Sequence, residues 1–379
     1  MIKRQLLPEL RRRLARFPAV AVVGPRQCGK TTLAQSLGGA YYDLEQESER
    51  LRLDLEWAQR TIGRERVILD EAQAWPEIFA RVRGAIDQDR KRNGRFLLLG
   101  SVSPALAAQA SESLTGRLSS LELTPLRWGE LARTRRKPLW LRGGFPDGGI
   151  LDVMSYPQWQ RDYLALTVQR DLPSWGLPAK PQVTDRLLRL LAAVHGQVWN
   201  ASRIGQSLGL SYQTVNSYLD FLVGAFLIRR LPPFEANIGK RLVRSPKLYW
   251  RDSGLLHALL NVPDETSLLN QPWVGASWEG FVIEQVIGEF AALGRFVDAY
   301  FFRTSDGHEI DLVLDFGKER WAIEVKLTAS PTPADMDRLD RTADLIGASR
   351  RYLVSQTPRS VGSAIRASCN LNGLLERIA

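Results

Sequence analysis

The chain has 379 residues, which predicts two or three domains, and 44% of them are hydrophobic, as in an ordinary globular protein. Apolar runs stay well short of the ~18–20 residues of a membrane span and no signal core follows Met1, so we expect a cytoplasmic protein without membrane contact. With only Cys28 and Cys369 and three histidines, the composition argues against disulfides and zinc. The net charge of +10 permits nucleic-acid binding but does not require it.

The first chemical motif is a phosphate-binding loop of the pattern G-x-x-x-x-G-K-[ST]. Its residues are Gly24, Pro25, Arg26, Gln27, Cys28, Gly29, Lys30 and Thr31, followed by Thr32. An apolar run over residues 19–23 predicts a buried strand before the loop, and a helical pattern follows it. Glycines let the backbone curve around a phosphate, and the helix N-terminus offers unpaired N–H groups. We therefore predict that these residues bind ATP and that Thr31 also contacts Mg²⁺.

Cys28 lies inside this loop near a helix N-terminus, a setting that can lower the pKa of a thiol. A reactive Cys28 would make ATPase activity sensitive to oxidation. The simpler interpretation is a small residue that the loop tolerates.

Catalytic and metal-binding groups are predicted after the next two apolar strands. Asp70 and Glu71 end the strand over residues 67–70; Asp70 would hold Mg²⁺ through water, and Glu71 would orient the attacking water. The alternative is a strand that ends in acidic surface residues. Ser101 follows the next strand and is either a sensor of the γ-phosphate or an ordinary turn serine. Arg117 is either an arginine finger, in its own subunit or across an interface, or one half of a surface salt bridge.

Alternation of strands and helices over residues 1–150 predicts a parallel sheet. Ligands bind at the carboxyl ends of the strands in such sheets, where the candidate residues fall. This region is the predicted ATPase domain.

Residues 151–235 are predicted to be a helical lid and a winged helix-turn-helix. Helical patterns over residues 184–194, 201–208 and 211–223, with a turn at Gly209 and Ser211 as N-cap, give the helix-turn-helix order. Strands over residues 225–231 and 247–250 would form the wing. Candidate nucleic-acid contacts are Gln213, Thr214 and Asn216 on the recognition helix and Lys240, Arg241 and Arg244 in the wing. Winged helices also serve as ATPase lids or protein-docking modules, so that alternative stays open.

A second group of charged residues occurs within residues 236–379. Glu279 lies in a predicted helix, and a predicted strand over residues 296–302 follows it. Asp311 lies in a strand over residues 309–314, and Glu324 and Lys326 lie on one face of the next strand. Carboxylates that hold Mg²⁺, with a lysine that steadies the attacking water or the phosphate charge, suit phosphodiester hydrolysis. A helix over 334–346, a strand over 351–354 and a helix over 362–367 complete the predicted order.

The resulting α-β-β-β-α-β order and the D…E-x-K triplet resemble the PD-(D/E)XK nuclease superfamily, and Glu279 matches the acidic helix residue of its resolvase-like members. The resemblance implies metal binding by Glu279, Asp311 and Glu324, with Lys326 as the catalytic lysine. The alternatives are ordinary charges on an exposed hairpin and a nuclease fold kept only for binding.

The chain as a whole resembles the prokaryotic AAA+ ATPases that carry a fused C-terminal domain of unknown function. The likeness rests on residues 24–33, Leu69-Asp70-Glu71-Ala72-Gln73, Leu99-Gly100-Ser101, Thr115-Gly116-Arg117, Leu123-Thr124-Pro125-Leu126, Gly144-Phe145-Pro146, Arg170-Asp171-Leu172, Pro246-Lys247-Leu248-Tyr249 and Glu309-Ile310-Asp311. It implies a multidomain α/β protein: an AAA+ or STAND-like core, a winged helix and a restriction-endonuclease-like α/β tail. Cys28 is a departure, because a small aliphatic residue is expected there.

These observations predict an ATP-binding and ATP-hydrolysing protein that requires Mg²⁺ and acts on DNA, with branched DNA among its substrates. The AAA+ resemblance implies a homo-oligomer. The main alternative is a nucleotide-gated switch that docks a protein partner and whose C-terminal domain is catalytically silent. A third is a nuclease that the ATPase merely regulates.

Overall fold

The computed structural model describes residues 2–101, 114–235 and 242–378. The chain forms two compact units. The first comprises Met1–Leu126, Gly224–Phe226 and Ala291–Gly294, and the second comprises Arg127–Val223, Leu227–Phe290 and Arg295–Ala379. The predicted ATP site therefore belongs to the first unit and the C-terminal carboxylates to the second.

A five-stranded sheet forms the centre of the first unit, and all its strand pairs are parallel, as the sequence predicts. Its strands are β1 (Ala19–Val23), β2 (Ala40–Asp43), β3 (Val67–Asp70), β4 (Phe96–Gly100) and β5 (Leu118–Glu122). Their order across the sheet is β2-β3-β4-β1-β5. The phosphate-binding loop follows β1, so it lies between the ends of β4 and β5.

Helices of this unit cover both faces of the sheet. They are α1 (Leu7–Leu14), α2 (Lys30–Gln35), α3 (Glu47–Ile62) and α4 (Glu77–Gln88). Alternate residues of β1 enter two different apolar clusters: Ala21 packs in one and Val22 in the other. Burial on both faces explains why the strands read as continuous apolar runs.

The second unit begins with helices that match the predicted middle region. They are α5 (Gln158–Leu166), α6 (Pro181–Ala193), α7 (Ala201–Leu208) and α8 (Tyr212–Gly224), with short helical turns at Arg133–Arg136, Leu139–Arg142 and Leu172–Ser174. Gly209 ends α7 in the left-handed region, with φ 68°. Ser211 Oγ accepts a hydrogen bond from Thr214 N at 3.1 Å, as the predicted N-cap requires. Strands β6 (Ile228–Leu231) and β7 (Lys247–Trp250) then pair antiparallel.

A mixed six-stranded sheet completes the second unit. Its strands are β8 (Asp298–Arg303), β9 (Glu309–Asp315), β10 (Arg320–Val325), β11 (Arg350–Val354), β12 (Val361–Gly362) and β13 (Arg366–Cys369), in the order β12-β13-β11-β10-β9-β8. The accompanying helices are α9 (Ser253–Leu259), α10 (Glu265–Leu269), α11 (Val274–Ala292), α12 (Pro333–Leu345) and α13 (Leu371–Ile378). Helix α11, strands β8–β10, helix α12 and strand β11 reproduce the predicted α-β-β-β-α-β order.

The helix predicted over residues 362–367 is wrong, because this segment forms parts of β12 and β13. Ala367 and Cys369 are buried at 2% and 0% exposure, and residues 366 and 368 beside them are not buried, which is a strand period. Pairing of β13 with the buried strand β11 outweighs the weak local preference of this segment for a helix. In the described part of the chain, every helix is too short or too polar to cross a membrane.

Candidate functional site

The backbone of the phosphate-binding loop needs glycine at both ends. Gly24 has φ 155° and Gly29 has φ 98°, in regions that residues with a side chain rarely adopt. A Cβ atom on Gly24 would lie 2.1 Å from the carbonyl oxygen of Leu123. The loop conformation is therefore fixed by the residue types that the motif prescribes.

Lys30 opens α2 and folds back over its own loop. Its side-chain Nζ donates to Gly24 O at 2.9 Å, Pro25 O at 3.0 Å and Ser101 Oγ at 3.1 Å, and the residue is only 6% exposed. All three partners are neutral oxygens. The ammonium charge thus remains available for an anionic ligand at the loop.

Asp70 joins the loop to the sheet through two hydroxyl groups. Its Oδ2 accepts from Thr31 Oγ1 at 2.6 Å and from Tyr41 OH at 2.7 Å, and its Oδ1 accepts from Glu71 N at 3.0 Å. Burial, and next the hydrogen bond to Asp70, raises the pKa of Tyr41. A carboxylate beside a threonine hydroxyl is the hard oxygen donor set that Mg²⁺ prefers, so these residues fit the predicted metal.

Glu71 stands directly after β3 in the left-handed region, with φ 47° and ψ 47°. Its Oε1 accepts from Ser101 Oγ at 2.6 Å, and its other oxygen accepts from Gln73 Nε2. Because Lys30 donates to the same Ser101 hydroxyl, the serine connects the lysine to the glutamate. The structure therefore brings Lys30, Thr31, Asp70, Glu71 and Ser101 together at the carboxyl ends of β1, β3 and β4.

Two arginines of the prediction have other partners. Arg117 forms two hydrogen bonds with Asp87, at 2.9 and 3.0 Å, and directly precedes β5. The register pairs Ala19 with Leu118, so Arg117 lies at the amino-terminal edge of the sheet, opposite to the phosphate-binding loop. An arginine-finger contact within its own subunit is therefore not supported. Arg26 forms an ion pair with Glu45, and Thr32 is exposed on α2.

Cys28 is a packing residue, and the suggestion of a lowered thiol pKa is wrong. The side chain is 0% exposed, Sγ lies 3.3 Å from Leu123 O, and burial raises the pKa of the thiol. Arg4 also supports the loop, because its guanidinium donates to Cys28 O at 2.7 Å and to Thr124 O at 2.6 Å. No motif in the sequence would have singled out Arg4.

The candidate nucleic-acid residues divide into exposed and internally bonded side chains. Gln213 and Arg244 are exposed. Asn216 Oδ1 accepts from Trp199 Nε1 at 2.8 Å, and Thr214 Oγ1 is bonded to Ser211 Oγ at 2.9 Å. Lys240 and Arg241 lie outside the described residues.

The predicted C-terminal carboxylates do lie together, but a lysine occupies their centre. Lys247 Nζ is 3.0 Å from Glu279 Oε1, 2.8 Å from Glu309 Oε1 and 3.7 Å from Asp311 Oδ1, and the lysine side chain is 4% exposed. Tyr249 OH donates to the same Glu279 oxygen. Burial lowers the pKa of Lys247, but the three carboxylates outweigh that effect and raise it overall.

The carboxylates of Asp311 and Glu324 face one another across β9 and β10. Ile323 pairs with Leu312, which places Glu324 beside Asp311, and Asp311 Oδ2 accepts from Val325 N at 2.9 Å. Burial, followed by the charge of Glu279, raises the pKa of Asp311 well above its usual range. Burial also raises the pKa of Glu324 to about 7, against the opposing charge of Lys326.

The predicted metal site of Glu279, Asp311 and Glu324 is not formed. Among the described residues, no group of three or more His, Cys, Asp or Glu side chains has an arrangement that could hold a metal ion. The ammonium of Lys247 is paired with Glu279 and Glu309 in this cluster. Lys326, the predicted catalytic lysine, donates to Asp335 Oδ1 at 2.7 Å, a residue of the capping box of α12. Lys247 stood in a family motif, but the sequence interpretation assigned it only to a wing strand.

The fold and the first site define a P-loop AAA ATPase domain joined to further domains. A family model described as "AAA domain" matches residues 16–132, and models of two domains of unknown function, DUF8612 and DUF4143, match residues 133–266 and 274–369.

The chain is 37% identical over 335 residues to uncharacterized proteins of Mycobacterium bovis (Mb2031c) and Mycobacterium tuberculosis (Rv2008c), covering 87% of this chain and 75% of theirs. It belongs to the family of these mycobacterial proteins.

Solved structures give more distant likenesses. The Walker-type ATPase PABY2304 of Pyrococcus abyssi is 14% identical with a TM-score of 0.47, over 69% of this chain and 96% of that one. A RuvB variant of Thermotoga maritima is 18% identical with a TM-score of 0.29, over 61% of this chain and 89% of that one.

Proposed function

We propose that the chain binds Mg-ATP and hydrolyses it at the carboxyl edge of the first sheet. The observation that carries the proposal is the convergence of Lys30, Thr31, Asp70, Glu71 and Ser101 through hydrogen bonds of 2.6–3.1 Å. Lysine and backbone N–H groups suit the phosphates, and a bound Mg²⁺ neutralises developing charge on them.

Each side chain has a distinct role in this proposal. Lys30 exchanges its neutral oxygen partners for phosphate oxygens, which bind an ammonium more strongly because they are charged. Thr31 and Asp70 hold the metal. Glu71 accepts a hydrogen bond from the attacking water, and Ser101 places the glutamate relative to the lysine.

Phosphate release from Mg-ATP tests this proposal. Lys30→Ala should reduce the rate by about 100-fold or more, the usual effect of removing a group that stabilises the transition state. Lys91→Ala, at an exposed lysine of the same unit, is the matched control and should keep the wild-type rate. Equal rates in wild type and Lys30→Ala, with both proteins folded by circular dichroism, would refute the assignment.

We further propose that DNA is the partner of the second unit. Helices α6–α8 with strands β6–β7 are interpreted as a winged helix, whose exposed Gln213 and Arg244 face solvent, and the chain carries a net charge of +10. Because Asn216 is bonded to Trp199, we assign it to the support of the helix and not to base contact. Homo-oligomer formation, with Arg117 acting across an interface, stays a prediction; a strict monomer in light scattering with ATP present would count against it.

Anisotropy titrations with single-stranded, duplex and four-way-junction DNA test the DNA proposal, together with the ATPase rate in the presence of each. Stimulation by one form would support the proposal and identify the preferred substrate. Gln213→Ala should weaken binding, and Asn216→Ala should mainly lower stability.

The second candidate is a nucleotide-gated switch that docks a protein. It is favoured by the composition of α8, which has no Lys or Arg to meet phosphates, and by the lysine within the C-terminal carboxylate cluster. ATPase activity that ignores every DNA form, with Asp311→Ala also indifferent on DNA, would favour the switch.

A further inference from the structure

We infer that Lys247 is the resident cation of the C-terminal carboxylate cluster and that this cluster holds no divalent metal ion. The cluster is defined as Lys247, Glu279, Glu309, Asp311 and Glu324. The inference stands whether or not the chain hydrolyses ATP, because it concerns residues of the second unit alone.

The ammonium reaches carboxylates from two elements. Lys247 begins β7, Glu279 belongs to α11, and Glu309 lies on β9. The distances of 3.0 Å to Glu279 and 2.8 Å to Glu309 are those of charge-assisted hydrogen bonds. A lysine that is 4% exposed and placed among carboxylates is compensated in charge, whereas a solitary buried lysine would be costly.

A metal ion and this ammonium need the same oxygens. Glu279 Oε1 already accepts from both Lys247 and Tyr249, and Asp311 Oδ2 accepts from Val325 N. Mg²⁺ requires near-octahedral oxygen ligands at about 2.0–2.1 Å. Two of the oxygens that a metal would use, Glu279 Oε1 and Asp311 Oδ2, are therefore engaged by donors, and a second cation beside Lys247 would be repelled.

Glu324 is a member of the cluster that the lysine leaves incompletely satisfied. Its Oε2 is buried and has no hydrogen-bond partner among the described residues. If any part of this centre retains affinity for a metal, it is the pair of Glu324 and Asp311. The experiment must therefore examine the wild-type cluster as well as variants.

Titration of the full-length, nucleotide-free protein with Mn²⁺ tests the inference. Electron paramagnetic resonance measures the number of Mn²⁺ ions bound per chain. A Thr31→Ala background removes one of the two proposed metal ligands of the ATP site and so weakens any contribution from it. Up to about 1 mM Mn²⁺, the parent protein should bind no stoichiometric ion, and Lys247→Met should gain about one Mn²⁺ per chain. Adding Asp311→Asn to Lys247→Met should abolish the gain, which locates the ion in the cluster.

Two results would overturn the inference. The first is one Mn²⁺ bound by the parent protein and lost in Asp311→Asn; nicking of supercoiled plasmid that Asp311→Asn abolishes would have the same meaning. The second is a folded Lys247→Met that binds no Mn²⁺. If Lys247→Met does not fold, the parent protein and Lys247→Arg, which keeps the charge and should stay free of metal, still decide the question.

Discussion

The two lysine–carboxylate centres use the same residue types and differ in what the lysine contacts. In the first unit, Lys30 donates to carbonyl and hydroxyl oxygens, and Asp70 accepts from the hydroxyls of Thr31 and Tyr41. In the second, Lys247 is paired directly with Glu279 and Glu309.

This difference separates a centre prepared for ligands from one whose lysine is already paired with carboxylates. Lys30 can exchange its neutral partners for phosphate oxygens, and Asp70 can exchange its hydroxyl partners for a metal ion. The electrostatic cost is small, since neither exchange leaves a charged partner uncompensated. Removing a buried ammonium from its carboxylates leaves unpaired charges behind, which is costly. A motif therefore predicts function only when the partners of its charged residues are also known.

The sharpest test of the first centre is Glu71→Gln. The amide keeps the size of the side chain and removes the base, so hydrolysis should fall by about 10²–10⁴-fold while ATP binding is retained. Glu77→Gln, at an exposed glutamate on α4, is the control for loss of a charge. Stopped-flow phosphate release and binding of a fluorescent ATP analogue measure the two effects. Hydrolysis at the wild-type rate in Glu71→Gln would remove the glutamate from its assigned role.

The second centre is tested by comparing its two lysines. Lys247→Met should lower the free energy of unfolding by about 3–5 kcal/mol, because it leaves buried carboxylates without their cation. Lys326→Met removes a partly exposed pair with Asp335 and should cost about 1 kcal/mol or less. Urea unfolding followed by fluorescence gives both values. Equal losses of unfolding free energy in the two variants would mean that burial does not distinguish the ion pairs of Lys247 from that of Lys326.

Buried His257 in the second unit should also lower the free energy of unfolding at acid pH. Burial lowers the pKa of His257 to about 4, and its ring nitrogens bond to Leu141 O and Ser277 Oγ. The unfolded chain therefore binds more protons between about pH 6.5 and pH 4, so stability falls as the pH decreases through this window. At pH 5 the cost from His257 is about 2 kcal/mol.

Unfolding curves of wild type and His257→Gln at pH 7 and pH 5 measure this effect. The variant should lose about 2 kcal/mol less than wild type over that interval. Ser277→Ala removes the hydrogen bond but keeps the titrating ring, so it should retain most of the wild-type pH dependence. Identical pH dependence in wild type and His257→Gln would show that other groups set the acid limit.

Sequence predicted those features that local residue patterns encode. The phosphate-binding loop depends on glycines at fixed positions, and the strand that ends in Asp70 is a buried apolar run, so both could be located in advance. The helix predicted over residues 362–367 failed because its strand pairing with β11 is not a local property.

Partners from distant segments could not be predicted. Lys247 is 32 residues from Glu279, and Tyr41 is 29 residues from Asp70. The spacing of Asp311, Glu324 and Lys326 suggested a metal site, but nothing local indicated that a lysine of β7 enters it. The charge on a carboxylate is visible in sequence, whereas the group that compensates it depends on the tertiary fold.

Tyr41 provides the finest test, because each centre has a tyrosine hydroxyl that donates to a carboxylate. Tyr41 bonds to Asp70, and Tyr249 bonds to Glu279. If Tyr41 positions Asp70 for the metal, Tyr41→Phe should weaken Mg²⁺ binding by about 1 kcal/mol. The Mg²⁺ concentration that gives half-maximal ATPase activity should then increase about fivefold. The maximal rate at saturating Mg²⁺ should change little.

Tyr42→Phe is the matched control, since its hydroxyl bonds to Glu56 and Arg60 and so lies outside the site. A merely structural role for Tyr41 would lower thermal stability in both variants and leave the Mg²⁺ dependence unchanged. A shift confined to Tyr41→Phe would instead mean that the first centre holds its carboxylate ready for a metal through neutral donors. The ammonium of Lys247 makes that arrangement unattainable in the second centre.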